Sequence, residues 1–425
     1  MAPSVGKQAS ARNVVKQSSM TACSQTDTAG AVRTFYEKHP YPSPVDDLES
    51  YRNRWPDTHR KRAAFHLLWP NKNLREDYSI LVAGCGTAQA ARYAMRWPDS
   101  RVVGIDFSAA AVRHTIELKR RYRLDNLDVR QLPLEMVADL GMRFDHIIST
   151  GVIHHLSDPM AGLVALRNVL EPDGAMHLMV YAPYGRAGIY MLQDFFRRLL
   201  GPGAGFRDVV TALECLPATH PLISLLSKVP DFKTKEGLAD ALLNPHDQAY
   251  SVPQLFLLLR ASGLVFGRWL RQAAYSFQVG IMSRLPDAIR GTQLSNEDEY
   301  AASELFRGDM MRHSAIAYRD DRPCVPKVDF SGNSWLGYVP IPVPDSVCLQ
   351  ERLPAGIAAV LINRAHTFTD IVLPLRSREK QLFDQVNGER AIGEIVSNID
   401  RREDIRTFFE RLWWHDQIVF DTTCT

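Results

Sequence analysis

Two short apolar runs, one ending in glycines and the other in a carboxylate, have the spacing that best fits ligand chemistry. The first run, 80–83, leads into Gly84 and Gly86, and the second, 102–105, ends at Asp106. Apolar runs of this length predict buried parallel strands, and glycines directly after a strand let the backbone turn sharply and approach a ligand. An acidic side chain at the tip of the next strand can accept hydrogen bonds from both ribose hydroxyls. The pattern predicts a nucleoside site.

The glycine spacing also indicates which kind of nucleoside is bound. Dinucleotide folds place a pyrophosphate on a helix N-terminus through G-x-G-x-x-G, but Gln89 occupies the third glycine position here. The close helix approach that a diphosphate needs is therefore not favoured. A nucleoside ligand without phosphates fits the sequence better.

Two later segments extend this pattern. Residues 144–159 form an apolar run that ends in His-His-Leu-Ser-Asp-Pro, and residues 169–180 contain Glu-Pro-Asp-Gly before another apolar run. The order of these motifs resembles that of the class I S-adenosylmethionine-dependent methyltransferases. The resemblance covers roughly residues 75 to 200, and predicted strands at 263–269 and 277–282 extend it to about residue 285. Val82 and Ala88 depart from the family, which usually has an acidic residue and often a glycine there.

The resemblance implies S-adenosyl-L-methionine as the cofactor and assigns residues to its parts. Gly84 and Gly86 would face the amino acid portion, and Asp106 would bind the ribose. Thr150 and Gly151 would lie beside the methionine portion. The adenine edge would meet one of the two residues after the third strand. The full set of predicted cofactor-binding residues is Ala83, Gly84, Cys85, Gly86, Asp106, Phe107, Gln131, Leu132, Thr150 and Gly151.

Residues on the acceptor side are predicted from position alone. His154 and His155 follow the fourth strand, where a general base could reach an acceptor, although ring nitrogens that cap the loop and the next helix would explain them equally. An aromatic segment at 36–44, with three prolines, is predicted to cover the cofactor as a lid or to pack on the surface. The candidates for acceptor contact, each also open to a structural role, are Tyr36, Tyr41, Tyr184, Arg186, Asp247 and Tyr250.

Composition is that of an ordinary globular enzyme. A net charge of +2 provides no field to hold nucleic acid, and no apolar stretch approaches the ~18 residues of a membrane span. The six cysteines lack C-x-x-C spacing, so we expect neither a metal site nor a disulfide framework. A reducing, cytoplasmic location is the default. The acid-poor N-terminus also resembles transit peptides, but has too few apolar residues for a clear amphipathic face.

The fold is predicted to be α/β, a Rossmann-like seven-stranded methyltransferase sheet with helices on both faces. We expect a disordered tail over residues 1–30, an N-terminal lid over 31–78 and the methyltransferase domain over 79–320. Helical patterns broken by prolines predict a cap over the acceptor pocket at 187–260. A linker is expected at 321–346, and residues 347–425 resemble a small winged-helix-like module.

These features predict an enzyme, an S-adenosylmethionine-dependent methyltransferase that acts on a small organic or peptide-like acceptor. The sequence 149–152, Ser-Thr-Gly-Val, lacks the clamp of nucleobase N-methyltransferases, so neither a nucleic-acid substrate nor a membrane partner is expected. The alternatives are a protein methyltransferase and a non-catalytic binding or regulatory protein with the same fold. The C-terminal module could mediate homodimerisation or bind a protein partner.

Overall fold

The computed structural model describes residues 28–39, 41–45, 47–201, 204–290, 294–322, 324–396 and 402–423. Most of the predicted disordered tail, residues 1–27, lies outside the described residues. In the part of the chain that is described, no helix combines the length and the apolar character needed to cross a membrane.

A seven-stranded mixed sheet forms the centre of the molecule, as predicted. The strands are β1 (Ser79–Ala83), β2 (Arg101–Asp106), β3 (Leu127–Gln131), β4 (Phe144–Thr150), β5 (Leu170–Tyr181), β6 (Leu264–Trp269) and β7 (Arg312–Arg319). Their order is β3-β2-β1-β4-β5-β7-β6, with the first five parallel and β7 antiparallel to both of its neighbours. This is the Rossmann-like methyltransferase sheet that the sequence predicts.

One predicted strand is wrong. Residues 280–284 of the segment expected to form the seventh strand are a 3-10 helix, Gly280–Arg284. The seventh strand is instead β7, which contains the buried run Ala-Ile-Ala-Tyr and follows the polar helix Asn296–Arg307. Apolar content alone could not distinguish the two segments, because a short apolar run fits a buried turn as well as a strand.

Helices cover both faces of this sheet. Those before β1 are α1 (28–38), α2 (Glu49–Arg52) and α3 (Thr58–Leu68). The helices between β1 and β5 in the chain are α4 (Gln89–Arg96), α5 (Ala109–Tyr122) and α6 (Pro159–Val169). Those after β5 are α7 (Ala187–Leu200), α8 (Phe206–Glu214), α9 (Pro221–Lys228), α10 (Lys235–Leu243), α11 (Val252–Ala261), α12 (Asp287–Arg290) and α13 (Asn296–Arg307). Ser108 caps α5, accepting a hydrogen bond from the Ala111 N–H, and α6 begins at Pro159.

Strand β1 shows why the sheet has helices on both sides. Ile80 and Val82 lie in one hydrophobic core, and Leu81 and Ala83 lie in the other. Successive side chains of a strand point to opposite faces, so a run that is apolar throughout must be covered twice. A third core, centred on Ile189 and Phe196 of α7, belongs to the helices after β5.

The C-terminal region has its own hydrophobic core. Its strands are β8 (Val339–Pro342), β9 (Ser346–Leu349), β10 (Ala359–Asn363), β11 (Val372–Leu375) and β12 (Ile418–Asp421), and its helices are α14 (Ser377–Phe383), α15 (Ile392–Ile395) and α16 (Arg402–Trp414). Strand β8 lies within the segment predicted as a linker and pairs with β12. The predicted linker is therefore partly regular structure. The winged-helix resemblance and the domain boundaries stay predictions.

A buried carboxylate joins this C-terminal region to the end of β6. Asp416 accepts hydrogen bonds from the backbone N–H groups of Gln272 (3.3 Å) and Ala273 (3.0 Å), and lies 3.4 Å from Arg268 and 3.1 Å from the His366 ring. Burial alone would raise the pKa of Asp416, but the hydrogen bond and charge of His366 and the charge of Arg268 hold it below its ordinary value. Asp416 thus links the C-terminal region to residues 268–273 through several contacts.

We predict that Asp416→Ala destabilises the folded protein by about 3–5 kcal/mol, because it leaves Arg268 buried without its carboxylate. Asp321→Ala is the matched control. Asp321 pairs with Arg319 and Arg167 while 47% exposed, so solvent screens these pairs and its loss should destabilise the protein far less. Urea denaturation measures both. Equal destabilisation by the two variants would contradict the prediction.

The stabilising effect of Asp416 also depends on pH. The pKa of Asp416 is lowered in the folded state, so its contribution to the free energy of unfolding is complete above the unfolded pKa of about 3.9 and is lost as pH falls below it.

Candidate functional site

The glycine turn after β1 lies between the carboxyl ends of β2 and β4. Gly84 and Gly86 have φ values of +72° and +53°, which side chains rarely permit. The N–H groups of Gly84 and Cys85 both donate to the Ile105 carbonyl at 2.9 Å. A Cβ atom on Gly84 would lie 2.2 Å from Val152. Both the backbone conformation and the lack of space therefore require glycine at position 84.

The Asp106 carboxylate fixes this turn from the tip of β2. One carboxylate oxygen accepts the Gly86 N–H and the other accepts the Ser108 N–H, both at 2.9 Å. Burial raises the pKa of Asp106 above its ordinary value, although these hydrogen bonds oppose the rise. Each carboxylate oxygen has two lone pairs, so the group keeps acceptor capacity for a ligand.

The other residues predicted to bind cofactor also follow the carboxyl ends of parallel strands. Gln131 ends β3, and its amide donates to the Phe107 carbonyl at 3.2 Å. The Leu132 N–H donates to the Asp106 carbonyl at 2.9 Å. Ala83 and Cys85 are buried at the end of β1. The sheet thus brings the predicted residues of its first three strands to one edge.

Strand β4 ends at the same edge. The Thr150 hydroxyl accepts a hydrogen bond from the Gln89 amide at 2.8 Å. Gly151 has a φ of +79°, and its N–H donates to the Met179 carbonyl at 3.3 Å. Gln89 opens α4, so the position that lacks the third glycine carries a side chain that reaches across to β4.

The segment before the sheet crosses over the glycine turn. A Cβ atom on Gly86 would lie 3.1 Å from the Pro42 ring and 3.4 Å from the Tyr41 carbonyl oxygen. The Thr87 hydroxyl donates to the Pro42 carbonyl at 3.0 Å. The Tyr36 ring lies 6.0 Å from that of Phe107 and 5.9 Å from that of His155. These contacts place the segment predicted as a lid directly against the predicted cofactor side.

Asp240 of α10 links the lid, the cap and the sheet. Its carboxylate accepts the Tyr36 hydroxyl at 2.7 Å and the Tyr181 hydroxyl at 3.2 Å, and the Asn244 amide lies 3.3 Å away. Asp240 is buried. Burial, and then the charge of Asp240, raise the pKa values of both tyrosines well above the ordinary value. Both phenols are therefore neutral donors at pH 7.

A second carboxylate in the cap forms a buried ion pair. The Arg186 guanidinium lies 2.8 Å from Asp247, with side chains 5% and 0% exposed. It also covers the Tyr181 ring at 3.5 Å from the centroid and donates to the Tyr190 hydroxyl at 3.1 Å. Burial alone would lower the pKa of Arg186, but the charge of Asp247 raises it above its ordinary value. The pair is thus charged.

The two histidines predicted after β4 lie beside this pair. The His154 ring centroid is 3.9 Å from that of Tyr181 and 4.2 Å from that of His155. Burial, and then the charges of His155, Arg186 and His246, lower the pKa of His154 well below its ordinary value. The His155 Nδ1 atom lies 2.8 Å from the His246 carbonyl oxygen. A carbonyl only accepts, so Nδ1 carries the proton and Nε2 keeps a lone pair.

Two of the predicted acceptor residues lie apart from this cluster. Tyr184 is 42% exposed. Tyr250 is buried in the core beneath the sheet, where burial raises the pKa of its hydroxyl to about 12. Its backbone N–H donates to the Tyr181 carbonyl at 2.9 Å. Tyr250 is thus a core residue whose side chain lies outside the cluster. The residues that come together in the cluster are Tyr36, Arg186, Asp247, His154 and His155.

Sequence reasoning missed Asp240, Tyr181 and Asn244. The one signal for Asp240 is a carboxylate within the apolar stretch Leu-Ala-Asp-Ala-Leu-Leu of α10. Charged residues are rarely fully buried unless they are paired, so an acidic residue on a predicted apolar helix face indicates a buried partner. Tyr181, the last residue of β5, carried no such signal.

Comparison with known sequences agrees with this geometry. The family model described as "Methyltransferase domain" matches residues 81–176. An uncharacterized protein of Synechococcus sp. is 30% identical over 324 residues, which cover 72% of this chain and 75% of that protein. The ubiquinone biosynthesis O-methyltransferase of Cereibacter sphaeroides is 33% identical over 103 residues, or 24% of this chain. The match spans only 40% of that enzyme's length.

Comparison with solved structures extends the similarity beyond the motif region. PKMT2 from Rickettsia typhi has a TM-score of 0.61 at 14% identity, covering 89% of this chain and 76% of that one. The same protein in complex with AdoHcy gives a TM-score of 0.57, with 90% and 77% covered. At this identity the likeness shows a shared fold. The family model over the glycine turn, Asp106 and β4, together with this shared fold, supports a class I S-adenosylmethionine-dependent methyltransferase.

Proposed function

We propose that this protein transfers the methyl group of S-adenosylmethionine to a small organic or peptide-like acceptor in the space between the sheet edge, the lid and the cap. The observation that carries the proposal is the meeting of two sets of residues at one edge of the sheet. Gly84, Gly86 and Asp106 form one set, and the polar cluster around Asp240, Arg186 and Asp247 forms the other. Tyr36 of the lid contacts both sides, because its ring packs against Phe107, next to Asp106, and its hydroxyl donates to Asp240.

The first set has the properties of a nucleoside site. Glycines with positive φ leave the backbone accessible, and Asp106 retains lone pairs for the two ribose hydroxyls. We assign Gln131 and Leu132 to the adenine edge, and Thr150 and Gly151 to the methionine portion. Ala83, Cys85 and Phe107 would complete the wall through backbone and ring contacts.

The second set fits the chemistry of methyl transfer. A lone pair of the acceptor attacks the methyl carbon, the carbon–sulfur bond breaks, and its electron pair returns to sulfur to give S-adenosylhomocysteine. The acceptor loses its proton to a base. Alignment of the reacting atoms can supply about 7–11 kcal/mol of the barrier. Among the described residues, Asp247 pairs with Arg186, whereas Asp240 accepts hydrogen bonds from the Tyr36 and Tyr181 hydroxyls. The Asp240 carboxylate would therefore favour the positive sulfonium.

Oxygen is the acceptor atom that this environment suits best. The His155 Nε2 atom has an unused lone pair next to the Tyr36 ring, and a hydroxyl nucleophile needs such a base to remove its proton. Similarity over the motif region to an enzyme named as an O-methyltransferase supports the same choice. His154, which burial keeps unprotonated, would contribute beside it.

An acceptor panel tests the proposal directly. Purified protein is incubated with S-adenosylmethionine and with matched phenols, aliphatic alcohols, carboxylic acids, amines and short peptides, and S-adenosylhomocysteine is quantified by mass spectrometry. We expect product only with hydroxyl-bearing acceptors, and the methylated compound should be 14 mass units heavier. Turnover confined to amines would contradict the choice of oxygen. A protein that binds cofactor but turns over no acceptor would favour the non-catalytic alternative.

We predict that Asp106→Ala weakens S-adenosylhomocysteine binding by about 10- to 100-fold, since each lost hydrogen bond to a charged group is worth about 1.5–3 kcal/mol. Isothermal titration calorimetry measures the affinity. Asp125→Ala is the matched control, because Asp125 is exposed just before β3, at the opposite edge of the sheet. Asp106→Asn provides a smaller change if the alanine variant unfolds. Unchanged affinity in both Asp106 variants would overturn the ribose assignment.

We predict that Tyr36→Phe speeds S-adenosylhomocysteine release about tenfold. The change removes the hydrogen bond from the lid to Asp240, and a bond to a charged acceptor is worth about 1.5–3 kcal/mol. The dissociation rate is measured by stopped-flow displacement. Tyr51→Phe serves as the control, because the Tyr51 hydroxyl contacts Arg96 on the outer side. Equal release rates in the wild type and Tyr36→Phe would show that this bond does not hold the lid closed.

A further inference from the structure

Three potential metal ligands converge where the cap meets the end of β4. His154 and His155 come from the 3-10 turn Ile153–His155, and Asp247 comes from the loop between α10 and α11. One ligand atom from each residue lies within 4.8 Å of the others. The sequence did not predict that these residues meet, because Asp247 lies more than ninety residues from the histidines. Cap and sheet must both fold before the three atoms meet.

The converging atoms have lone pairs that nothing else in the described structure uses. Neither ring nitrogen of His154 has a hydrogen-bond partner, and the residue is fully buried. The Asp247 Oδ1 atom is also buried without a partner, while Oδ2 accepts from Arg186. The His155 Nδ1–H donates to the His246 carbonyl, so Nε2 is the free atom. A buried acceptor without a partner destabilises the folded protein.

The arrangement around these atoms is typical of metal ligands. Metal-bound histidines usually donate their other ring N–H to a carbonyl or carboxylate, as His155 does to His246. Ligating carboxylates are usually hydrogen-bonded in turn, as Asp247 is by Arg186. These contacts orient two of the three candidate ligands.

The charge of the surroundings also favours a cation. Asp247 pairs with Arg186, whereas Asp240 accepts hydrogen bonds from the hydroxyls of Tyr36 and Tyr181. These phenols add no positive charge. Buried charges are stable only when they are compensated. A divalent ion beside Asp247 would supply the missing positive charge.

We propose that His154, His155 and Asp247 bind one divalent transition-metal ion of the zinc class. Two imidazole nitrogens and a carboxylate oxygen are a donor set typical of Zn²⁺ and its first-row neighbours. Bonds of about 2.0–2.2 Å place ligand atoms about 3.4 Å apart in a tetrahedral site, so the side chains would rotate inward by about 1 Å on binding. Three protein ligands leave one position open, as in catalytic sites.

The role of the ion rests on the proposed methyl transfer, but its binding does not. An acceptor hydroxyl at the open position would lose its proton more readily, because a bound metal lowers the pKa of an oxygen ligand. His155 would then act as a ligand, and the base that takes the proton would be solvent or a neighbouring group. The sequence-based expectation of no metal would be wrong.

Metal titration of the full-length protein tests the site. Protein freed of metal with EDTA is titrated with Zn²⁺ by calorimetry and with Co²⁺ by visible absorption. We expect one equivalent to bind with micromolar or tighter affinity, and Co²⁺ to show the bands of nitrogen and oxygen ligation. His154→Gln and His155→Gln should each weaken binding at least tenfold. His59→Gln, which changes an exposed histidine outside the cluster, should leave binding unchanged.

Two further measurements keep the outcome decisive. The double variant His154→Gln/His155→Gln should bind no Zn²⁺ at this affinity, and equal uptake by the wild type and this variant would overturn the proposal. Asp247→Asn tests the third ligand, and the histidine variants decide alone if that variant does not fold. S-adenosylhomocysteine is titrated into the same samples. Normal cofactor binding without metal binding refutes only the metal site, whereas loss of cofactor binding in the wild type refutes the proposed function.

Discussion

The close approach of the glycine turn to the ends of β2 and β4 is the constraint on which the site depends. The parallel pairing of β1 with β2 sets Ala83 beside Ile105, so the next N–H groups reach the Ile105 carbonyl. Val152 leaves no room for a side chain on Gly84. Asp106 then holds the Gly86 N–H. These contacts fix the conformation of the glycine turn and the orientation of the Asp106 carboxylate. They also form the surface against which the lid packs.

Next to this surface, the molecule buries charged and polar side chains that an apolar core would exclude. Asp240, Arg186 and Asp247 lie in a region closed by helices, and their desolvation is offset by hydrogen bonds to tyrosines and by one ion pair. Such a network is stable only when its members are satisfied. The unpartnered atoms of His154 and Asp247 stand out for this reason. They lie where cap, lid and sheet meet, which is the region that the proposed methyl acceptor would enter.

Buried polar contacts join the C-terminal region to the rest of the molecule, and those of Asp416 and Thr422 are two examples. Asp416 receives backbone N–H groups that follow β6, and Thr422 donates its N–H to the Pro70 carbonyl after α3 at 2.7 Å. Val386, Ile392 and Phe408 of this region are buried in a separate hydrophobic cluster. A region with its own core can thus be packed firmly against its neighbour, because a few buried hydrogen bonds fix the relative position of the two.

The sequence by itself determined the sheet and its ligand edge. Apolar runs, positive-φ glycines and N-caps such as Ser108 are local signals, and parallel strands bring their carboxyl ends to one edge, so Gly84, Asp106 and Thr150 could be predicted together. Only the tertiary structure decided the acceptor side. Asp240 and Asp247 come from cap helices and loops whose packing no periodicity encodes, and Tyr250 proved to be a core residue. Their meeting with His154 depends on contacts between segments distant in sequence, which local propensity does not specify.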